Sequence, residues 1–306
     1  MERRRLGRSG LGVTPVGFGA WAIGGGGWEF GWGPQDDDAS VAAIHRALEL
    51  GVNWIDTAAA YGFGRSEEVV GRAIRGLAEP PLVFTKCGLL EAPGRTVEHS
   101  LRRDSIRREC EASLRRLGVE AIDLYQIHWP DPDEQLEEGW LALAELRDEG
   151  KVRHIGVSNF DVGRLERADA IAPVETLQPP FSLLDRGIET EILPWAARHD
   201  LGVLVYSPMA SGLLTGAMTR RRIEAMPDDD WRKRHRWFRE PQLSENLELV
   251  ERLRAAGEPR GASPGAVAVA WALAQPGVTA AIVGFRRPDQ VDGILPAAAE
   301  PPPPGL

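Results

Sequence analysis

The chain has 306 residues, of which 43% are hydrophobic and 26% are charged, and its formal net charge at pH 7 is −9. This length suits one large α/β domain, because barrels of alternating strands and helices commonly reach about 250 residues or more. The negative charge argues against non-specific binding to nucleic acid, and an anionic ligand would need a local basic site.

The sequence carries no recognisable signal for secretion or membrane insertion. The first ten residues, MERRRLGRSG, are basic, but no apolar run follows them, and a stretch of about 18 apolar residues is absent. Cys87 and Cys110 are the two cysteines, so no disulfide framework is implied. We therefore expect a soluble, cytoplasmic protein without a membrane or nucleic-acid partner, and the oligomeric state is left open.

Short apolar runs alternate with amphipathic stretches along the chain, which is typical of βα units around a parallel sheet. After a short N-terminal hairpin, strands are predicted at residues 16–19, 52–55, 82–85, 122–127, 154–157, 175–178, 202–206 and 280–283. Helices are predicted at residues 39–50, 66–77, 100–117, 135–149, 162–170, 189–198 and 264–274. Eight strands are what a closed barrel needs, so the predicted fold is α/β, a (β/α)8 TIM barrel with an N-terminal β-hairpin.

Four polar residues lie at or just beyond the ends of the second, third and fourth predicted strands. Asp56 follows VNWI, Lys86 follows PLVFT and His128 follows IDLYQI, while Tyr61 lies a few residues past the first of these runs. Barrels of this type carry their chemistry at the carboxyl ends of the strands. We therefore expect the four side chains to meet on one face of the barrel.

These residue types suit proton transfer to a carbonyl oxygen. A phenol titrates near pH 10 and exchanges its proton poorly at neutral pH unless its surroundings change its pKa. Since an ammonium favours the phenolate and a carboxylate holds the ammonium in place, Lys86 is predicted to lower the pKa of Tyr61 while Asp56 holds Lys86. His128 would orient the substrate oxygen or share the proton.

Each of these residues also has a plain structural interpretation when it is taken alone. Asp56 is then a helix cap, Lys86 a surface charge and His128 a loop histidine. Tyr125 is a rival acid, but it lies within a predicted strand. A metal-dependent hydrolase is poorly supported and no metal is predicted, because only one of the six histidines, His128, lies at a predicted strand end among such neighbours.

The segments that carry these residues resemble those of the aldo-keto reductases. IDTAAAYGFGRSEEVVGRAI is similar to the aspartate and tyrosine signature of that family, and VFTK and LYQIHWPD are similar to its lysine and histidine segments. Further similar segments follow in the same order: SLRRLGVEAIDLYQIH, GKVRHIGVSNF, ETLQPPFSLLDR, VLVYSPMASGLLTG and IVGFRRPDQV. The resemblance covers roughly residues 17–291. It implies NADP(H)-dependent reduction of aldehydes or ketones to alcohols, with Asp56, Tyr61, Lys86 and His128 as catalytic residues and Tyr61 as the general acid.

The resemblance also implies how a nicotinamide cofactor is held. The segment GFGAWAIGGGG is not a Rossmann fingerprint, because the nucleotide-binding helix that such a motif requires does not follow it. Ser158, Asn159 and Gln178 would instead bind the carboxamide, and Tyr206 would stack on the nicotinamide. Asn159 taken alone is equally compatible with a helix N-cap. The other implied cofactor contacts are Gly19, Ala20, Trp21, Asp56, Ser207, Pro208, Met209, Ser211, Gly212, Leu214, Gly216, Gly284, Arg286 and Gln290.

The segment after the eighth predicted strand favours NADP(H) over NAD(H). The planar donor fork of Arg286 suits a 2′-phosphate, and RRPDQ opens a helix whose N-terminus favours an anion. Gly293 and Ile294 stand on that helix where many aldo-keto reductases carry Glu or Asn, so no adenine contact is carried over.

One barrel domain is expected over residues 1–306, with a proline-rich tail at 300–306. Residues 217–243 form a long loop between the seventh strand and the next helix, and we expect either a flap over the cofactor or a solvated insertion. Its cations and tryptophans do not indicate nucleic acid, because DDD lies beside them.

Tryptophans are expected at the mouth of the barrel. A substrate pocket is predicted from Trp21, Trp28, Trp32 and Trp129, which would favour small carbonyl compounds with apolar or planar groups, unless some of these rings only cap the barrel. The alternative to an enzyme is a regulatory binding protein that senses the redox state of the same cofactor, since such relatives of the family retain the four catalytic residues.

Overall fold

The computed structural model describes residues 1–228, 230–298 and 300–303. Residues 304–306 of the predicted proline-rich tail lie outside the described residues. The strands are β1 (Arg4–Arg5), β2 (Gly12–Val13), β3 (Val16–Gly19), β4 (Trp54–Asp56), β5 (Leu82–Cys87), β6 (Leu89–Ala92), β7 (Thr96–His99), β8 (Ile122–Ile127), β9 (Val152–Ser158), β10 (Thr176–Gln178), β11 (Gly202–Tyr206) and β12 (Ala280–Gly284).

The α-helices lie mainly between the barrel strands and cover their outer faces. They are α1 (Asp37–Glu49), α2 (Arg65–Ile74), α3 (Arg103–Leu117), α4 (Leu136–Asp148), α5 (Val162–Asp169), α6 (Ile192–Arg198), α7 (Arg220–Glu224), α8 (Gln242–Gly257), α9 (Pro264–Leu273), α10 (Pro288–Asp292) and α11 (Leu295–Ala298). Within the described ranges, no helix is both long enough and apolar enough to cross a membrane.

Eight parallel strands close into a barrel in the order β3, β4, β5, β8, β9, β10, β11, β12, with β12 paired to β3. Their apolar sequences suit strands that are covered on both faces. The antiparallel hairpin of β1 and β2 closes the N-terminal end, where Leu6 is buried against Gly202. The predicted TIM barrel with an N-terminal hairpin is therefore confirmed.

Side chains inside the barrel change character along the strands. Trp54, Phe84 and Leu124 are fully buried in an apolar cluster near the N-terminal hairpin. Successive inward positions on a strand are two residues apart, so Asp56, Lys86 and Gln126 form the next layer toward the carboxyl end. The polar layer of side chains inside the barrel therefore lies directly on an apolar layer.

The element boundaries differ from the predicted ones where hydrogen bonds extend or replace the local pattern. β4 continues through Asp56, which pairs in register with Gly19 and Phe84, and β5 continues through Lys86 to Cys87. Asp56 and Lys86 therefore lie within strands instead of following them. Helix α1 begins at residue 37 instead of 39, because the Asp36 side chain accepts hydrogen bonds from the first turn.

The structure contains several elements beyond the predicted ones. The hairpin of β6 and β7 follows β5, and α8 follows the 217–243 stretch. That stretch contains α7 and short 3₁₀ turns, and the side chains of Met218, Ile223 and Phe238 are buried beneath it. These side chains pack with apolar residues of α8 and α9.

Glu109 is a buried carboxyl group beneath the loop that follows β5. Its Oε2 accepts a hydrogen bond from the main-chain N–H of Gly88 at 3.0 Å, while Oε1 has no partner among the described residues. Burial raises the pKa of Glu109 from 4.5 to about 8. Ionising this group in the folded protein therefore costs about 5 kcal/mol more than in the unfolded chain.

Stability should fall as the pH rises from about 4.5 to about 8, because the folded state keeps a proton on Glu109 that the unfolded chain releases in this window. Glu109→Gln resembles the protonated carboxyl group and should remove this part of the pH dependence. Urea unfolding at pH values near 5 and 8 would measure it, with the variant expected to be the more stable protein at the higher pH. Parallel loss of stability in both proteins would contradict the assignment.

Candidate active site

A buried ion pair lies at the centre of the polar layer. The Lys86 ammonium donates to Asp56 Oδ1 at 2.6 Å, to the main-chain oxygen of Thr57 at 2.9 Å and to the Tyr61 hydroxyl oxygen at 3.2 Å. An ammonium has three N–H donors, so all of them are used. Because the oxygen of Tyr61 accepts from Lys86, its own O–H remains free to donate to another group.

The turn after β4 brings Tyr61 over the ion pair. The Tyr61 N–H bonds to Ala58 O at 3.1 Å, and the chain then passes through Gly62 and Gly64, which have φ values of 66° and 100°. Gly24 fits against this turn, because a Cβ atom there would lie 2.8 Å from the main-chain carbon of Tyr61. Glycine is therefore required on both sides of the contact.

Burial sets the protonation states of this group. It raises the pKa of Tyr61 well above 10, and the negative charge of Asp56 adds to the rise. Burial also raises the pKa of Asp56 and lowers that of Lys86, and in both cases the charge of the partner opposes the change. The pKa of Tyr61 is thus raised and not lowered as expected, because burial and the charge of Asp56 outweigh the effect of Lys86.

His128 follows β8 and lies against Tyr61. Its ring meets the Tyr61 ring edge-on with 5.5 Å between centroids, and its Nδ1 is buried without a partner among the described residues. Burial, with a further effect from the charge of Lys86, holds the pKa of His128 well below 6.5. The neutral imidazole therefore faces the phenol with one nitrogen still unsatisfied. All four residues predicted to be catalytic lie together.

Amide side chains occupy the opposite side of the polar layer. Gln178 Nε2 donates to Asp56 Oδ2 at 2.8 Å, so this amide holds the carboxylate from the side that Lys86 leaves free. Asn159 Oδ1 accepts from the Tyr206 hydroxyl at 2.8 Å, and Asn159 Nδ2 donates to His128 O at 2.9 Å. Ser158 Oγ donates to the main-chain oxygen of Gln178 at 2.7 Å.

Asn159 is not the N-cap of α5. The cap is Asp161, whose side chain accepts from the N–H of Arg164. Asn159 has a φ of 64° and belongs to the group formed with Ser158 and Tyr206.

Gln126 is a member of this layer that the sequence analysis missed. It is fully buried and pairs in register with Lys86, and its Oε1 lies 3.4 Å from Gln178 Nε2. Its own Nε2 is buried without a partner among the described residues. A polar residue two positions after Leu124, on the face of the strand that carries the buried Leu124, was the available signal.

The loops after β11 and β12 contain most of the other predicted cofactor contacts. Ser207, Ser211 and Gly212 have φ values of 56°, 55° and 88°, in a turn that also contains Pro208, Met209, Leu214 and Gly216. Within this turn the N–H groups of Gly212 and Leu214 both donate to Met209 O at 3.1 Å. Leu214 is fully buried in the apolar cluster beneath residues 217–243.

Arg286 follows Gly284 at the end of β12, and its main-chain N–H donates to Gln290 Oε1 at 2.7 Å. Its guanidinium has no carboxylate partner in the described part of the chain. Gly19 and Ala20 lie at the end of the neighbouring β3, where Ala20 N bonds to Asp56 O at 2.8 Å.

Aromatic rings surround the mouth above Tyr61. Trp21 stacks toward Tyr61 with 6.2 Å between centroids and stacks on Trp231 at 5.6 Å, while Trp32 meets both tryptophans edge-on. Trp231 belongs to the 217–243 stretch and was not predicted in the pocket. Trp28 packs separately, against Phe30 and Phe63.

Trp129 stands apart from this cluster, with 40% of its surface exposed. Of the four predicted pocket tryptophans, Trp21 therefore lies against the phenol and Trp32 packs against Trp21.

The donor set fits a nicotinamide cofactor. Unsatisfied buried polar atoms on His128 and Gln126, left-handed turns after β11 and an arginine without a carboxylate partner within the described ranges all lie at the carboxyl end of the barrel. Ser158, Asn159 and Gln178, the predicted carboxamide contacts, lie on the same face, and Tyr206, which was predicted to stack on the nicotinamide, donates to Asn159 there.

Comparison with known proteins agrees with the geometry. A model of the aldo/keto reductase family matches residues 15–302. The chain is 39% identical over 297 residues to the aldo-keto reductase YhdN of Bacillus subtilis (strain 168), across 96% of this chain and 88% of that protein. It is 34% identical over 299 residues to the NADH-specific methylglyoxal reductase of Escherichia coli (strain K12), across 94% of this chain and 88% of that protein.

A solved structure is also similar. The glycerol dehydrogenase AKR11B4 from Gluconobacter oxydans is 42% identical and superposes with a TM-score of 0.86, across 95% of this chain and 88% of that one. The chain therefore belongs to the aldo/keto reductase family, whose members are oxidoreductases that act on small carbonyl compounds with a nicotinamide cofactor.

Proposed function

We propose that this protein reduces aldehydes or ketones to alcohols, with NADP(H) preferred over NAD(H) and Tyr61 as the general acid. One observation carries the proposal: the Tyr61 hydroxyl oxygen accepts from Lys86 at 3.2 Å, and Lys86 is held by Asp56 at 2.6 Å inside the barrel. The phenolic proton is left free to face the mouth, where a carbonyl oxygen would approach.

The phenol and the three residues around it have separate roles in the proposed reaction. The bound cofactor would supply a hydride to the carbonyl carbon. Tyr61 would donate its proton to the carbonyl oxygen as negative charge develops there, while the Lys86 ammonium stabilises the phenolate that remains. His128, which is neutral, would hold the carbonyl oxygen through an N–H donor. Asp56 would keep Lys86 in place.

The cofactor would be held by groups from the later strands. Ser158, Asn159 and Gln178 would bind the carboxamide and Tyr206 would stack on the ring, while Arg286 would bind the 2′-phosphate. The turn after β11 would bind the pyrophosphate through main-chain N–H groups. The two cysteines are free and buried, which supports our proposal of a reducing, cytoplasmic location.

The substrate class is proposed from the mouth and from the relatives. Trp21 and Trp32 favour planar or apolar carbonyl compounds. One relative is named a methylglyoxal reductase and another a glycerol dehydrogenase, which adds small polar carbonyl compounds to the candidates. A panel should therefore contain aromatic aldehydes, methylglyoxal and glyceraldehyde. Cofactor binding without turnover of any of them would favour the regulatory alternative.

Tyr61→Phe should lower kcat for carbonyl reduction by roughly 10²- to 10⁴-fold, because it removes the proton donor and leaves the ring in place. NADPH oxidation at 340 nm with the panel would measure the loss. Fluorescence titration should show that NADPH still binds.

Tyr125→Phe is the matched control. The Tyr125 hydroxyl is buried in β8 and has no hydrogen-bond partner among the described residues, so its removal should leave kcat within about twofold of wild type. Equal activity of wild type and Tyr61→Phe would refute Tyr61 as the acid.

Arg286→Ala should weaken NADPH binding by roughly 10- to 100-fold and leave NADH binding within about twofold, because a charge-assisted bond to the 2′-phosphate is lost. Dissociation constants of both cofactors would be measured by tryptophan fluorescence quenching. Arg287→Ala is the control, since Arg287 is exposed and pairs with Asp289 at 3.0 Å. Equal weakening of both cofactors would argue against a 2′-phosphate contact.

We also propose that residues 217–243 form a flap over the bound cofactor. Trp231→Ala should then speed NADPH release about tenfold or more, because the stack on Trp21 would be lost. Stopped-flow chase experiments would measure release. Trp237→Ala, in the same segment but packed on His235 at 4.7 Å, should leave the release rate unchanged. If both variants behave like wild type, the segment is not a flap.

A further inference from the structure

The guanidinium of Arg286 is already occupied by neutral acceptors from the loop between β3 and α1. Nε donates to Gln35 Oε1 at 2.5 Å, Nη1 donates to Trp32 O at 3.3 Å, and Nη2 donates to Pro34 O. A guanidinium has five N–H donors, and Nε and Nη2 together form the edge that binds an oxyanion through two parallel bonds. The loop therefore takes both donors of this edge.

Gln35 is fixed in this position by its own surroundings. Its Nε2 donates back to Arg286 O at 3.0 Å and to Ser40 Oγ at 2.8 Å, so the amide bridges the β12 loop and α1. Its main-chain oxygen accepts from Arg65 at 2.7 Å, and Arg65 pairs with Asp37 at 2.7 Å. The contact with Arg286 thus belongs to a connected set of hydrogen bonds.

The charges around Arg286 bear on how its guanidinium would bind an anion. Arg232 and Arg287 lie close enough to act on it, but each is paired with a carboxylate, Arg232 with Asp230 at 2.7 Å and Arg287 with Asp289 at 3.0 Å. Arg286 bonds only to neutral oxygens in the described ranges, and the carboxylate of Asp230 acts on it only from a distance, so its positive charge has no direct counter-ion there. A 2′-phosphate that binds here would meet a positively charged guanidinium whose Nε and Nη2 donors already bond to the loop.

We propose that Gln35 is a specificity residue for the cofactor: it competes with the 2′-phosphate for Nε of Arg286, one of the two donors of this edge, and so reduces the preference for NADP(H) over NAD(H). This inference rests on the proposed use of NADP(H). NAD(H) has a hydroxyl group at the same position and gains little from a free guanidinium edge. A change at Gln35 should therefore alter the affinity for one cofactor and leave the other unchanged.

If Gln35 has a purely structural role, a different result is expected for the two dissociation constants. If the glutamine only fastens the loop, its loss would loosen the mouth of the barrel for both cofactors, and their dissociation constants would rise together. The ratio of the two constants, Kd for NADH divided by Kd for NADPH, distinguishes these roles even when a variant is partly destabilised.

The experiment measures both constants by fluorescence titration for wild type and three variants of the full chain. Gln35→Leu removes the acceptor at similar size and should raise the ratio about fivefold through tighter NADPH binding. Gln35→Glu keeps the shape but pairs with Arg286 as an anion, and it should lower the ratio about tenfold through weaker NADPH binding. Ser40→Ala removes only the anchor of the Gln35 amide and should leave the ratio within about twofold of wild type.

The possible outcomes separate this inference from the proposed function. Opposite changes of the ratio in Gln35→Leu and Gln35→Glu, with NADH affinity constant, support the competition. An unchanged ratio in both variants, or a parallel change for both cofactors, overturns it while leaving the proposed function intact. Failure of wild type to bind either cofactor would defeat the proposed function itself, and this inference with it.

Discussion

The structure of the site depends on one buried ion pair, Asp56 with Lys86. Removing two charges from water costs several kcal/mol for each ion, so the pair is tolerated only when the remaining hydrogen-bonding groups are satisfied. Gln178 donates to the free oxygen of Asp56, and Thr57 and Tyr61 accept the other two donors of Lys86. The position of Tyr61 therefore follows from the needs of a buried ammonium, and the catalytic geometry and the stability of the barrel interior cannot be separated.

The layered interior explains how water is kept away from the ion pair of Asp56 and Lys86. The two-residue period of a strand places Trp54 and Phe84 directly below Asp56 and Lys86, so the floor of the site is apolar and tightly filled. Above the phenol, Trp21 and Trp231 form a stacked cover. Electrostatic interactions between the two layers are stronger than they would be in water, because little solvent reaches them.

The sequence was sufficient for the barrel and for the four residues at its strand ends, because strand periodicity is local and the chain order of βα units fixes which ends meet. It did not reveal Gln126, because the strand pattern alone does not single out this residue. It also did not reveal Trp231 and Gln35, whose contacts are made between loops that meet only in three dimensions. Helix α8 was missed because its apolar positions pack under the neighbouring segment and not on the barrel. The pKa of Tyr61 was misjudged because the neighbouring charges were identified without their burial.

That last difference bears on the direction of the proposed reaction. Reduction needs Tyr61 as a neutral phenol, whereas alcohol oxidation needs it as a phenolate that accepts a proton. Because burial and Asp56 raise the pKa of Tyr61 well above 10, the phenol is protonated throughout the neutral range. A cofactor ring and a substrate in the mouth would exclude further water, which raises the pKa of a buried phenol again. At neutral pH Tyr61 is thus in the protonation state that the proposed reduction requires, and the phenolate needed for alcohol oxidation forms only as the pH rises toward the pKa of Tyr61.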